Sequence, residues 1–349
     1  MNHLITLLTN LTLGSLNLFY NRTRKALVFV IVGIFILLGI APTISTSGDV
    51  YEEYCCDIYP PDELGPYHIG HYRVRYDAQP FGTYTATIRY PATRDGWFAP
   101  KDTSAGPYPG IVVGNGFAGS DWNIKWIPKH LTSHGYVTLC FTPPDKLLGN
   151  TTQWAYGFQQ GIEKLKSQNN NKFSPIYGTL NTEIFGAIGL SMGGAGCIEA
   201  TGDADSLIDA AVALAPASSN FSISAAMNIS VPVQIQVGNN DGMVPPFRVL
   251  PYYDDFILDT MVKEYLAIEG GNHIGFIDER FAKFAEWMGI DDVRGIEFIE
   301  QHRISSKYFT SWFRYYLNDS NEHYTYIFGE EAQNDLQTGI LSDLKYNIP

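Results

Sequence analysis

Cysteine is scarce, four residues in 349, too few to staple a chain of this length, so its core has to come from apolar burial. Basic residues are scarce too, 23 Lys and Arg against 36 Asp and Glu. The deficit is uneven. Residues 1–47 hold Arg22, Arg24 and Lys25 and no acid, which leaves 20 basic against 36 acidic groups in the remainder, a net charge of −16. A body so acidic is a poor match for phosphate backbones, and no nucleic-acid partner is expected. Repeats and low-complexity tracts are missing as well, and 45% of the residues are hydrophobic, which excludes a disordered or collagen-like chain.

What is present starts with an apolar run, Ala26 to Ile40 (ALVFVIVGIFILLGI), fifteen residues without a polar side chain directly after the three basic ones. A basic flank before an apolar core is an export signal, with the flank held in the cytoplasm and everything after residue 45 outside. The run is at the upper limit for a cleaved signal and short of the ~20 residues of a bilayer span. Cleavage and retention as a membrane anchor are both open. Residues 1–47 are thus expected to be signal or anchor with its linker, and residues 48–349 one extracellular or cell-surface domain, a monomer. Cys55 and Cys56 are adjacent, which disfavours a mutual disulfide, and their pairing is open. Cys140 and Cys197 lie in apolar runs and read as free and buried.

Past the linker, apolar runs alternate with helix-like stretches. Strands are predicted at Tyr84 to Tyr90, Gly110 to Val113, Val137 to Phe141, Ile184 to Leu190, Ala210 to Leu214, Val233 to Val237 and Tyr265 to Ile268. Helices are predicted at Ile124 to Ser133, Thr151 to Ser167, Met192 to Ala200, Pro251 to Asp259 and Ser305 to Tyr316. This alternation predicts an α/β fold, a mainly parallel central sheet with helices on both faces and no large separate lid domain. Such sheets place chemistry beyond the carboxyl ends of their strands.

At one such end the sequence IFGAIGLSMGG (Ile184 to Gly194) runs from a strand through Gly189-Leu190-Ser191-Met192-Gly193 into a helix. G-x-S-x-G in that context is a nucleophile elbow, its glycines needed because strand and helix come too close for larger side chains. Serine needs a base and the base an acid, in the chain order Ser, acid, His. Asp241 follows the strand VPVQIQV and His273 follows the next one, in EYLAIEGGNH. Asp254 and Asp255 are the fallback acids. The other histidines, His3, His68, His71, His130, His134, His302 and His323, lack the strand-then-loop placement. The backbone N–H of Met192 and that of Phe117, in the loop Gly114-Asn115-Gly116-Phe117-Ala118-Gly119, are the expected oxyanion donors. Phe117, Trp122, Leu190 and Ile274 are the candidate substrate contacts. His68-x-x-His71 is discounted as a metal pair because Pro66 and the strand-like YRVRY surround it. No metal and no cofactor are expected.

The chain resembles the secreted α/β-hydrolases of the cutinase and poly(ethylene terephthalate) hydrolase group, with the wider dienelactone-hydrolase-like set behind them. The resemblance lies in FAGSDWNIKWIPKHLTSHGYV (Phe117 to Val137), SPIYGTLNTEIFGAIGLSMGG (Ser174 to Gly194), VPVQIQVGNNDGMVPP (Val231 to Pro246), LPYYDDF, LAIEGGNH and SWFRYYLNDSNEHYTYIFGEEA (Ser311 to Ala332). It implies Ser191, Asp241 and His273 as the triad and Phe117 and Met192 as oxyanion donors, with the Phe117 ring flanking the acyl group. Four departures bear on substrate. Leu190 stands where many polyester hydrolases have an aromatic residue or His. The Trp of the polymer groove is missing from Ala215-Pro216-Ala217-Ser218-Ser219. Gly238, Gly275 and Gly329 stand at positions of family disulfides. About 25 extra residues, Phe276 to Arg303, lie between His273 and the last helix, where they are expected to cover or reshape the cleft. The expected activity is carboxylic ester hydrolysis on a small-molecule or polymeric ester. Amide or peptide hydrolysis on the same triad, and a non-catalytic binding module of the same fold, are the alternatives.

Overall fold

A computed structural model describes residues 59–349; the apolar run, its basic flank, Cys55 and Cys56 lie outside the described residues. Among the described residues no helix is long and apolar enough to cross a membrane. The strands are β1 (His68–Ala78), β2 (Gly82–Ala92), β3 (Gly96–Trp97), β4 (Tyr108–Gly114), β5 (Val137–Thr142), β6 (Leu180–Leu190), β7 (Ala210–Leu214), β8 (Val233–Gly238), β9 (Lys263–Ile268) and β10 (Leu341–Asn347). They form one sheet in the order β10-β9-β8-β7-β6-β4-β5-β2-β1-β3. The stretch from β9 to β5 is parallel, and β10, β2 and β1 join it antiparallel. The α/β architecture expected from the alternation is therefore present. All seven predicted strands are found within four residues of their expected bounds, Ala210–Leu214 without any difference.

The parallel strands are largely apolar because both faces are covered, and β4, β7, β8 and β9 are buried at every position, Gln234, Gln236, Lys263 and Glu264 included. On one face lie α1 (Trp126–Ser133) and the long α7 (Phe298–Asn318); on the other lie α2 (Thr151–Asn170), α3 (Met192–Thr201) and α4 (Asn220–Ala226). The remaining helices are α5 (Pro246–Pro251), α6 (Glu279–Trp287), α8 (Tyr324–Ile327) and α9 (Glu330–Gln337). The connection from β4 runs to β5 on one side, and the chain then returns to β6 on the other. This reversal opens a crevice at the carboxyl ends of β4 and β6, at Gly114 and Leu190, where a ligand site is expected.

Three helix starts differ from expectation. A turn holds residues 121–124, so α1 begins at Trp126 rather than Ile124. The helix expected from Pro251 begins five residues earlier, where Pro246 occupies its first turn. Pro251 is instead interior, and the chain widens there into a π-type turn, Tyr252–Phe256, closed by the Ile257 N–H on the Tyr252 carbonyl. The last long helix starts at Phe298, not Ser305, so it takes in the end of the extra segment.

Candidate active site

Ser191 sits between the last residue of β6 and the first of α3 with φ 57° and ψ −114°. A non-glycine residue in this region costs about 1–3 kcal/mol, held there by surrounding structure. Three backbone bonds do the holding: the Ser191 N–H donates to Leu214, and the Ser191 carbonyl accepts from Ala195 and from Ala217. The elbow glycines are steric necessities. A Cβ at Gly189 would lie 2.1 Å from the Gly193 carbonyl oxygen, and one at Gly193 2.5 Å from the carbonyl oxygens of Gly114 and Asn115.

Asp241 and His273 sit in the loops beyond the carboxyl ends of β8 and β9, both buried. His273 Nδ1 is 2.7 Å from Asp241 Oδ2. The other carboxylate oxygen, Oδ1, accepts the N–H groups of Met243 at 2.9 Å and Val244 at 2.6 Å, so the acid is oriented by its own loop. Burial works against protonation of the His273 ring. The Asp241 charge, its hydrogen bond and the charge of Asp291 outweigh that and hold the imidazole above its ordinary value. The fallback acids are elsewhere: Asp254 pairs with Lys345 at 3.2 Å on the surface, and Asp255 is exposed.

The remaining described histidines have other partners. His130, His134 and His302 each place a ring nitrogen against a backbone carbonyl, at 2.8–2.9 Å, and burial lowers all three. His323 meets Ser311. His68 and His71 are on the edge strand β1, where His68 meets Asp95 at 3.5 Å and His71 packs on Trp97.

The loop after β4 approaches the elbow closely: a Cβ at Gly116 would stand 3.2 Å from Ser191 Cβ and 3.8 Å from its Oγ. Asn115 anchors this loop, its side chain donating to the Phe141 carbonyl at 2.8 Å and its carbonyl accepting from Trp154 Nε1 at 2.6 Å. Phe117 follows Gly116 with its ring half exposed. Met192 opens α3, where the first N–H groups have no partner within the helix and face outward with the positive end of its dipole. A serine, an imidazole–carboxylate pair and the partnerless first N–H groups of a helix at one sheet end are the parts that acyl transfer uses.

A family model described as PET hydrolase-like (PETase) matches residues 63–347. The chain belongs to this family. Cutinase 1 of Thermobifida cellulosilytica is 24% identical over 211 residues, 60% of this chain and 72% of that protein. The cutinase of Thermobifida fusca (strain YX) is likewise 24% identical over 211 residues, 60% of this chain and 63% of its own length. As a PET hydrolase-like protein the chain is a carboxylic ester hydrolase of the α/β-hydrolase superfamily.

The candidate substrate contacts differ in placement. Leu190 is packed into the core. Ile274 packs with Ala282, Ala285 and Phe298 of the extra segment. Trp122 is half exposed with the Arg73 guanidinium 5.3 Å and the Lys125 ammonium 5.9 Å from its ring centre. Its visible partners are thus cations of β1 and its own turn.

Sequence reasoning missed the residues that brace these loops. Phe276 to Arg303 lie against them from behind: Gln301 accepts the Asn272 N–H at 3.0 Å and donates to the Asn272 carbonyl at 2.8 Å. A Cβ at Gly275 would fall 1.8 Å from Gln301 Oε1, so the glutamine fills the space a side chain at this position would need. Asp278 and Phe276 reach the turn before α1, through the Asp278 N–H on the Asn123 carbonyl and Trp126 Nε1 on the Phe276 carbonyl. The extra length between His273 and the last helix was the one visible signal.

Proposed function

We propose that this hydrolase acts outside the cell membrane on esters with an apolar or aromatic acyl group, through Ser191, His273 and Asp241. The observation that carries the reading is the buried His273–Asp241 pair at 2.7 Å, on loops of the same sheet end as a serine held at φ 57°. Ser191 Oγ attacks the ester carbonyl carbon while His273 Nε2 takes its proton. The carbonyl electron pair moves onto oxygen, where the Met192 and Phe117 N–H groups receive it. Asp241 holds the imidazolium. The tetrahedral species then expels the alcohol, which leaves with the proton from His273. Water, deprotonated by the same ring, adds to the acyl-enzyme and frees the carboxylic acid and Ser191. The apolar-acyl reading rests on Phe117 beside the elbow and on Met243 and Phe247 after Asp241, all with exposed side-chain surface. Action outside the membrane rests on the apolar run and its basic flank, with cleaved signal and retained anchor as the two ways to get there.

The test is hydrolysis of a p-nitrophenyl ester chain-length series by the full chain, beside Ser191→Ala and a matched anilide series. Ester turnover that disappears in Ser191→Ala, with Ser191 labelled by an organophosphonate, is expected. Undiminished turnover in Ser191→Ala would sink the assignment, and preference for the anilides would move the reading to amides.

A further inference from the structure

The segment between α6 and α7 carries a carboxylate that touches both triad loops. Asp291 Oδ1 accepts the N–H of Gly242 at 2.9 Å and that of its neighbour Asp292 at 2.8 Å. Its Oδ2 accepts the N–H of Ile274 at 3.0 Å. Gly242 and Ile274 are the residues directly after Asp241 and His273, which arrive from different strands. One side chain therefore spans the acid loop and the base loop. Neighbouring bonds follow the same course: Asn272 donates from its side chain to the Asp292 carbonyl at 2.8 Å, Asn240 to the Val293 carbonyl at 3.2 Å, and the Gly295 N–H to Gly270 at 2.7 Å.

Resting on the triad reading above, we propose that Asp291 is a positioning residue: its carboxylate ties the Asp241 loop to the His273 loop and so fixes where the imidazole points. Backbone N–H groups on a carboxylate are charge-assisted donors, stronger and shorter than neutral ones, and two of them here lie one residue from the reacting pair. A neutral or shorter side chain loses the tie without touching substrate. The charge has a second consequence, because the charged groups acting on the ring are Asp241 and Asp291, both acids. Asp291 is itself raised by burial, opposed by the Ile274 N–H, raised by Asp241 and lowered by His273, so it is coupled to both members of the pair.

The experiment uses the full chain, with Asp291→Asn and Asp291→Glu, and measures kcat, KM and the pH dependence of kcat/KM on p-nitrophenyl butyrate, with organophosphonate labelling alongside. In Asp291→Asn, kcat falls roughly 10- to 100-fold with KM within about threefold, the size of effect expected from a misplaced catalytic group. The acid limb of kcat/KM moves to lower pH by about half a unit to one unit, since a negative charge beside the imidazole is gone. In Asp291→Glu the charge stays on a longer arm, so the acid limb holds while kcat still falls. A folded Asp291→Asn with wild-type kcat and an unmoved acid limb overturns the proposal, even if its melting temperature drops. Should Asp291→Asn not fold, undiminished kcat in Asp291→Glu overturns it. Wild-type protein that neither turns over ester nor labels would instead remove the triad reading, and this proposal would fall with it.

Discussion

Replacing Asp241 by Asn keeps the shape of the side chain and reverses the polarity of one hydrogen bond. The structure fixes which way the amide must lie. Oδ1 of Asp241 accepts two backbone N–H groups, from Met243 and Val244, and an NH2 group placed there would set donor against two donors. The amide oxygen therefore keeps that place, and the NH2 group faces His273 Nδ1 at the 2.7 Å now spanned by Oδ2. Nδ1 is then forced to accept, and the ring's proton moves to Nε2, the atom that has to receive the proton of Ser191. The fold loses little, because Asn fills the same buried space and keeps all three contacts. The rate loses much: this tautomer error costs about 10⁴-fold in kcat, or about 5 kcal/mol of transition-state stabilisation at 1.36 kcal/mol per decade. The assay is kcat/KM for p-nitrophenyl butyrate across pH, with circular dichroism and urea unfolding as controls for the fold. A folded Asp241→Asn within tenfold of wild type would refute the reasoning.

Gly189→Ala would place a Cβ 2.1 Å from a backbone oxygen and 2.4 Å from a backbone carbon of Gly193, neither able to turn aside. We expect a loss of about 3 kcal/mol or more in urea unfolding together with loss of organophosphonate labelling, and a stable, labelled variant would show the elbow to be looser than drawn. Trp154→Phe leaves the buried Asn115 carbonyl without its 2.6 Å donor, at about 1–3 kcal/mol of stability. Because Asn115 leads into Gly116 and Phe117, kcat should fall more than KM rises; unchanged kcat would separate this anchor from the oxyanion loop. Asp278 is pushed up to about 6 by burial, against an ordinary 3.8. A raised folded value means the native state holds the proton more tightly, so the contribution is full below pH ~4 and lost as pH rises through about 6. The stability of Asp278→Asn relative to wild type should therefore grow by about 3 kcal/mol between pH 4 and pH 8, from 1.36 kcal/mol per unit. An equal difference at both pH values in urea unfolding would remove the buried-charge argument.

The elements legible in the sequence are those whose signal is local. The central strands are buried on both faces, so most read as short, mainly apolar runs, and all seven predicted strands were found. β10 and the two-residue β3 were missed, and β1 was read only as the strand-like YRVRY, because they lie toward the sheet edges, where partial exposure admits Arg73, Arg75 and Asp77 in β1 and Asp343 and Lys345 in β10. The bounds of α5 turned on which of Pro246 and Pro251 opens the helix, a choice local pattern leaves even.

For the site, the chain alone marked the elbow by its glycines and the candidate serine, acid and base by their order along strands that must end on one side, although the clash that excludes a side chain at Gly193 comes from Gly114 and Asn115, far along the chain. Only the tertiary structure decided what braces them. Asp291 reaches Gly242 across 49 positions and Trp154 reaches Asn115 across 39, and no local pattern records such a meeting. It also decided which way side chains turn: Leu190 faces the core and Ile274 faces the segment behind it, because the packing available on each side of a loop, and not its sequence position, selects the buried face.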